Sequence, residues 1–257
     1  AKDGDVITLV ANVQASKYLD VKTANNGEVA RNFTLDLNGH DISPADGYNY
    51  NSGYSLIFVG INQTLTIKGE GTITADKKVT VGVYGVLNLV GGTIINKGTS
   101  DEDAALCIWH WDPEVDGYDC GYVVSGTGVV TGGTIEGDVY CEEGGAKLTV
   151  NVNENITLDQ ALAIGGTITL TKDVDYGAED FIIPSAVTIN LNGHNITAAG
   201  VITFDTATRF VGEGKLVIPQ DRIVLAGEAD DIAVWVGDGY VFNQVKDQYK
   251  SEVTGDD

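Results

Sequence analysis

Two tryptophans flank a histidine at Trp109-His110-Trp111, with Cys107 before them and Cys120 after, inside the one long stretch, Thr99 to Val124, that interrupts an otherwise repetitive chain. Broad indole and phenol faces with polar edges suit stacking on sugar rings, so Trp109, His110, Trp111 and Tyr118 form the candidate ligand-binding set. The competing reading is that these rings pack the segment down onto the protein body. Asp112-x-Glu114-x-Asp116-Gly117-x-Asp119 follows, with carboxylates on alternate positions and glycine sixth, as in the first half of a calcium loop. Val123 stands where the bidentate carboxylate belongs, so a plain acidic turn competes with a calcium site, and calcium is the one cofactor suggested. A hairpin turning near Pro113-Glu114 sets Cys107 opposite Cys120, Trp109 opposite Tyr118 and Trp111 opposite Asp116. That register predicts a Cys107–Cys120 disulfide in an oxidising compartment. The alternative stacks Cys107 and Cys141 as small buried groups in neighbouring strands.

The elements that position this stretch are repeated. Thr34-Leu35-Asp36-Leu37-Asn38-Gly39-His40-Asp41-Ile42 returns as Thr188-Ile189-Asn190-Leu191-Asn192-Gly193-His194-Asn195-Ile196. Val6-Ile7-Thr8-Leu9 precedes the first copy and Ile168-Thr169-Leu170 the second. Gly69-Glu70-Gly71 and Gly212-Glu213-Gly214 follow them. The offset between copies shrinks from 161 at Ile7 and Ile168 to 143 at Gly69 and Gly212, so insertions fall in loops. Within the first half, Leu65-Thr66-Ile67 and Leu87-Asn88-Leu89 lie 22 residues apart, and Gly91-Gly92-Thr93-Ile94 recurs as Gly132-Gly133-Thr134-Ile135. Asn-Gly between alternating runs ordinarily signals a hairpin. The period argues otherwise: units repeating near 22 residues fit coils whose equivalent strands stack in parallel about 4.8 Å apart. The fold class expected is all-β, a right-handed single-stranded parallel β-helix with a C-terminal cap.

Composition agrees with many short strands: 33 glycines, only 4 prolines, and frequent Thr, Val and Ile. The 257 residues are 43% hydrophobic, enough for a sizeable core. A formal net charge of −22 repels phosphate backbones and anionic lipid, so nucleic acid is not an expected partner, and no apolar run predicts membrane insertion. Asn32, Asn62, Asn155 and Asn195 each open an Asn-x-Thr triplet, which matters only in a glycosylating host.

These units resemble the pectin-lyase-like right-handed β-helix proteins, specifically the repeat-bearing surface proteins of bacteria with Gly-Asp-x-Ile-x-Leu and Leu-Asn-Gly-His-x-Ile signatures. The likeness covers about residues 1 to 220 and implies the fold. It implies little about activity, because that fold hosts lyases, hydrolases, adhesins and phage spikes.

The expected organisation is a parallel β-helix over 1–220, built from related halves at about 1–150 and 151–220 with the insertion at 99–124, then a cap and polar tail over 221–257. Thr157 to Ala163 reads as a short helix leading into the second half. The first half begins at the equivalent of that helix's end, which suggests an upstream cap and an open edge for end-to-end self-association.

A lyase of this fold needs carboxylates holding calcium and a basic residue to take the proton, and a hydrolase needs paired acids. Only Arg31, Arg209 and Arg222 are available as arginines, in different repeat contexts, and adjacent Asp230-Asp231 side chains would diverge. His40 and His194 occupy equivalent corners and read as structural. The sequence therefore favours a non-catalytic extracellular or cell-surface module for adhesion, glycan contact or assembly, with a glycan or another surface protein as partner. The rivals are a polysaccharide lyase or hydrolase and a filament subunit joined end to end.

Overall fold

The structure, a computed structural model, describes residues 2–21, 29–49, 55–113, 123–183, 187–204, 208–218 and 222–225, and the strands Val234–Val236 and Tyr240–Phe242. It is mostly β, with long parallel sheets, and divides into two compact units, residues 1–149 and 150–257.

In the first unit the chain visits three sheets in the same order in every repeat. Val6–Thr8, Arg31–Asp36, Gln63–Lys68, Val86–Leu89 and Thr127–Val130 pair in parallel as the first sheet. Val13–Ala15, Ile42–Pro44, Thr72–Ala75, Thr93–Asn96 and Thr134–Glu136 form the second. Leu19–Val21, Ser55–Val59, Val79–Val83, Ala104–Ile108 and Val139–Cys141 form the third. Register follows hydrophobic alternation, because a slip of one residue would turn each apolar set outward. Leu35 pairs with Ile67, Ile67 with Leu89 and Leu89 with Val130. Ile42, Ile73 and Ile94 form a second apolar column, and Ile57, Val81 and Leu106 a third, all essentially fully buried. Truncating any one of these to alanine costs about 2–5 kcal/mol.

The second unit repeats the plan. Thr167–Leu170, Thr188–Asn190 and Arg209–Val211 stack in parallel. Val174–Asp175, His194–Thr197 and Gly214–Val217 do the same, as do Phe181–Ile183, Ile202–Phe204 and Ile223–Leu225. The parallel ladder thus reaches Leu225, past the boundary near 220 read from the repeat, before Val234–Val236 pairs antiparallel with Tyr240–Phe242. The helix expected near Thr157 spans Leu158–Ile164 and opens with a capping box: Thr157 accepts from the Gln160 amide, and Gln160 reaches back to the Thr157 amide.

The Leu-Asn-Gly-His copies are corners between sheets. Asn38 and Gly39 both have positive φ (49° and 79°), and the His40 amide donates to the Leu37 carbonyl at 2.8 Å, a tight turn of the primed kind. In a hairpin this turn would send the chain back antiparallel. Here the Asn38 side-chain amide donates to the Leu9 carbonyl of the preceding repeat at 3.0 Å, and the Gly39 amide donates to the Glu70 carbonyl of the next at 2.7 Å. The second unit has the same bonds, Asn192 to Leu170 at 3.0 Å and Gly193 to Glu213 at 2.6 Å. Asn-Gly therefore links three successive repeats.

Candidate functional site: an aromatic patch on the third sheet

Alternation in the third sheet of the first unit buries Ile57, Val59, Val81, Val83, Leu106 and Ile108 in the core. The intervening positions lie on the opposite face, where register aligns Phe58 with Gly82 and Gly82 with Cys107, then Cys107 with Tyr140. The Gly82 position has no side chain, and the Trp109 ring fills that gap: a Cβ there would come within 2.1 Å of the indole. Trp109 also packs against Val79, Ala104 and Cys107, a small cluster apart from the main core. Its ring centroid is 5.2 Å from that of Tyr84 and 6.1 Å from that of Phe58, and Phe58 and Tyr84 meet edge to face at 6.1 Å. All three residues are half-buried.

The approach to this patch is fixed by polar groups. The Asn96 side-chain amide donates to the carbonyls of Lys78 at 2.7 Å and Ala104 at 2.9 Å. Asp103 accepts from the amides of Lys78 at 2.5 Å and Ser100 at 2.8 Å. The Ala105 and Leu106 amides both donate to the Asp138 carbonyl, at 2.8 and 3.4 Å, just before Cys107 and Trp109.

The insertion does begin with an antiparallel pair, but in a different register from the one expected. His110 stands opposite Ser125 and Trp111 opposite Val124, so Trp111 does not face Asp116. The strand leaving the third sheet closes directly onto the strand that re-enters the first, which moves the pairing toward the base of the insertion. Cys107 carries a free, buried thiol between Gly82 and Tyr140, and Cys141 is a free thiol one strand away, opposite Ile108. The two cysteines thus lie on neighbouring strands but are offset by one residue, and Cys141 is exposed, so they do not stack as a buried pair. Tyr118, Cys120, Glu114, Asp116 and Asp119 lie outside the described residues, leaving half-buried Asp112 as the one described member of the calcium-loop set.

Burial pushes the Cys107 thiol up to about 12, with the nearby Glu142 carboxylate and the Cys141 thiol adding to the shift. Burial also raises Cys141. Both are protonated at neutral pH and poor nucleophiles.

Sequence reasoning missed a Ser–His pair. His110 Nδ1 lies 2.8 Å from Ser125 Oγ. Glu142, the nearby acid, accepts from the His110 backbone amide at 2.6 Å, so its oxygen fixes the main chain and does not orient the imidazole. This arrangement anchors the segment between Trp109 and Trp111; it is not the relay an acyl-transfer triad requires. Phe58 and Gly82 were missed as well, although their shared third-sheet register could have revealed them, and so was Tyr84, which follows directly after the strand Val79–Val83. His40 and His194 sit at corners, with His194 Nδ1 3.4 Å from Asp173.

No protein-family model, curated protein or solved structure matches this chain.

Proposed function

We propose that this chain is a non-catalytic, extracellular binding module: a right-handed single-stranded parallel β-helix with a C-terminal cap, whose aromatic patch contacts uncharged glycans. The winding is supported by the fixed order in which the chain visits three parallel sheets and by the strong right-handed preference of parallel crossovers.

One observation carries the binding reading. Phe58, Tyr84 and Trp109 have ring centroids 5.2 to 6.1 Å apart and are only partly buried, on the face of the sheet turned away from the core. Rings held this way keep an apolar face available at little cost in side-chain entropy, which suits the C–H faces of sugars. The net charge of −22 disfavours polyuronates and sulfated chains and leaves neutral glycans as the fitting class.

A glycan array containing neutral and acidic oligosaccharides tests the proposal. Neutral oligomers should be retained by the wild type and lost with Trp109→Ala, whereas retention of acidic chains alone, or of nothing, overturns it.

A further inference from the structure

The second unit contains a cleft of about 660 Å³ between the start of the helix Leu158–Ile164 and the turn at 172–179. Its floor is aliphatic, formed by Val152, Leu158 and Val174, of which Leu158 and Val152 are fully buried. One wall is Tyr176. The Tyr176 ring stacks on Phe181 at 3.8 Å with an interplanar angle of 12°, and its hydroxyl donates to Asp159 Oδ1 at 2.8 Å, so the ring is held at both ends. Four carboxylates line the cleft, Asp159, Asp173, Asp175 and Glu179, against one cation, Lys172.

Three of those carboxylates already have local roles. Asp159 receives the Tyr176 hydroxyl, Asp173 receives the Asn195 amide at 2.9 Å, and Asp175 receives the Gly177 amide at 2.8 Å. These bonds come from uncharged donors and hold the acids in place, and Asp173 also lies 3.4 Å from His194 Nδ1. The carboxylates are also too dispersed to chelate: no group of three acidic, histidine or cysteine side chains able to hold a metal occurs among the described residues. A hydrated metal ion would moreover gain nothing from the aliphatic floor. The fitting ligand is an organic cation, with an ammonium for the rim and a carbon body for the floor and the tyrosine face.

We infer that this cleft is a binding site for a small primary amine, of the size of an amino sugar or a short aliphatic diamine, distinct from the aromatic patch of the first unit.

Calorimetric titration of the full chain with glucosamine, cadaverine and N-acetylglucosamine tests this. At least one of the two amines should bind one-to-one, more weakly as salt is raised, while N-acetylglucosamine, which keeps the sugar body without the charge, should not bind to the Trp109→Ala chain, in which the aromatic patch is disabled. The combined variant Asp159→Asn, Asp175→Asn and Glu179→Gln keeps an oxygen acceptor at each position, so its fold should survive. It should weaken amine binding at least tenfold. Trp109→Ala should leave amine binding unchanged, which separates this site from the glycan patch. Absence of binding by both amines, equal affinity in the combined variant, or N-acetylglucosamine binding the Trp109→Ala chain as tightly as glucosamine does would each overturn the inference.

Discussion

Gly71 sits on the corner of the preceding repeat so closely that a Cβ there would come within 2.2 Å of the His40 carbonyl oxygen, and Gly214 stands in the same relation to His194 at 2.1 Å. The pairing of Leu-Asn-Gly-His with a downstream Gly-Glu-Gly is therefore one structural device written in two places: a corner that approaches the next repeat, and a glycine step that makes room for it.

Gly71→Ala should accordingly destabilise the protein by roughly 3 kcal/mol or more, since both the positive φ of 129° and the backbone contact oppose a side chain. Gly39→Ala, at a φ of 79° but with open space around it, should cost only about 1–2 kcal/mol. Urea denaturation of the two variants checks the difference, and equal losses would contradict the contact.

Gly82→Ala should expel the Trp109 ring from the sheet, because the new methyl group would overlap the indole. Near-ultraviolet circular dichroism should lose the contribution of the Trp109–Tyr84 pair while the far-ultraviolet spectrum is kept. An unchanged aromatic spectrum would show that the ring does not rest there.

The buried thiol makes a prediction about pH. Cys107 titrates near 12 in the folded chain against a reference value of 9.0, so the unfolded chain loses its proton first as pH rises. The folded state binds more protons through that window, and stability is therefore full below about pH 9 and falls between about 9 and 12, with a slope of at most about 1.4 kcal/mol per pH unit. Cys107→Ala should show a shallower alkaline decline in chemical denaturation. An identical slope would remove the thiol as its source.

Thr157→Ala removes one half of the capping box and should lower stability by about 1 kcal/mol, and Gln160→Ala should lower it by less, since the hydroxyl cap is kept. Thermal melts of the two variants check the order.

Much of the fold was legible because the repeat specifies it at several levels at once. The Leu-Asn-Gly-His corners, the apolar alternation of Leu35, Ile67 and Leu89, and the capped helix after Thr157 all occur where the sequence places them. The hairpin meaning of Asn-Gly was rightly set aside, because the side-chain amides of Asn38 and Asn192 bind the preceding repeat. The site was less legible. Trp109 and His110 could be singled out by type, but Phe58, Tyr84, Gly82 and Ser125 become neighbours only through third-sheet register and the return of the insertion onto His110. Neither is encoded by a local pattern. The register expected for the insertion assumed a turn at Pro113-Glu114 and ignored the pull of the strands at its base, which set His110 against Ser125.

The most direct test of the aromatic patch is titration of wild-type protein and of Trp109→Ala, Tyr84→Ala and Phe58→Ala with a neutral oligosaccharide retained on the array, followed by calorimetry. Each truncation should weaken binding at least tenfold, with Trp109→Ala the most damaging. Unaltered affinity in all three variants would contradict the assignment of glycan contact to this face.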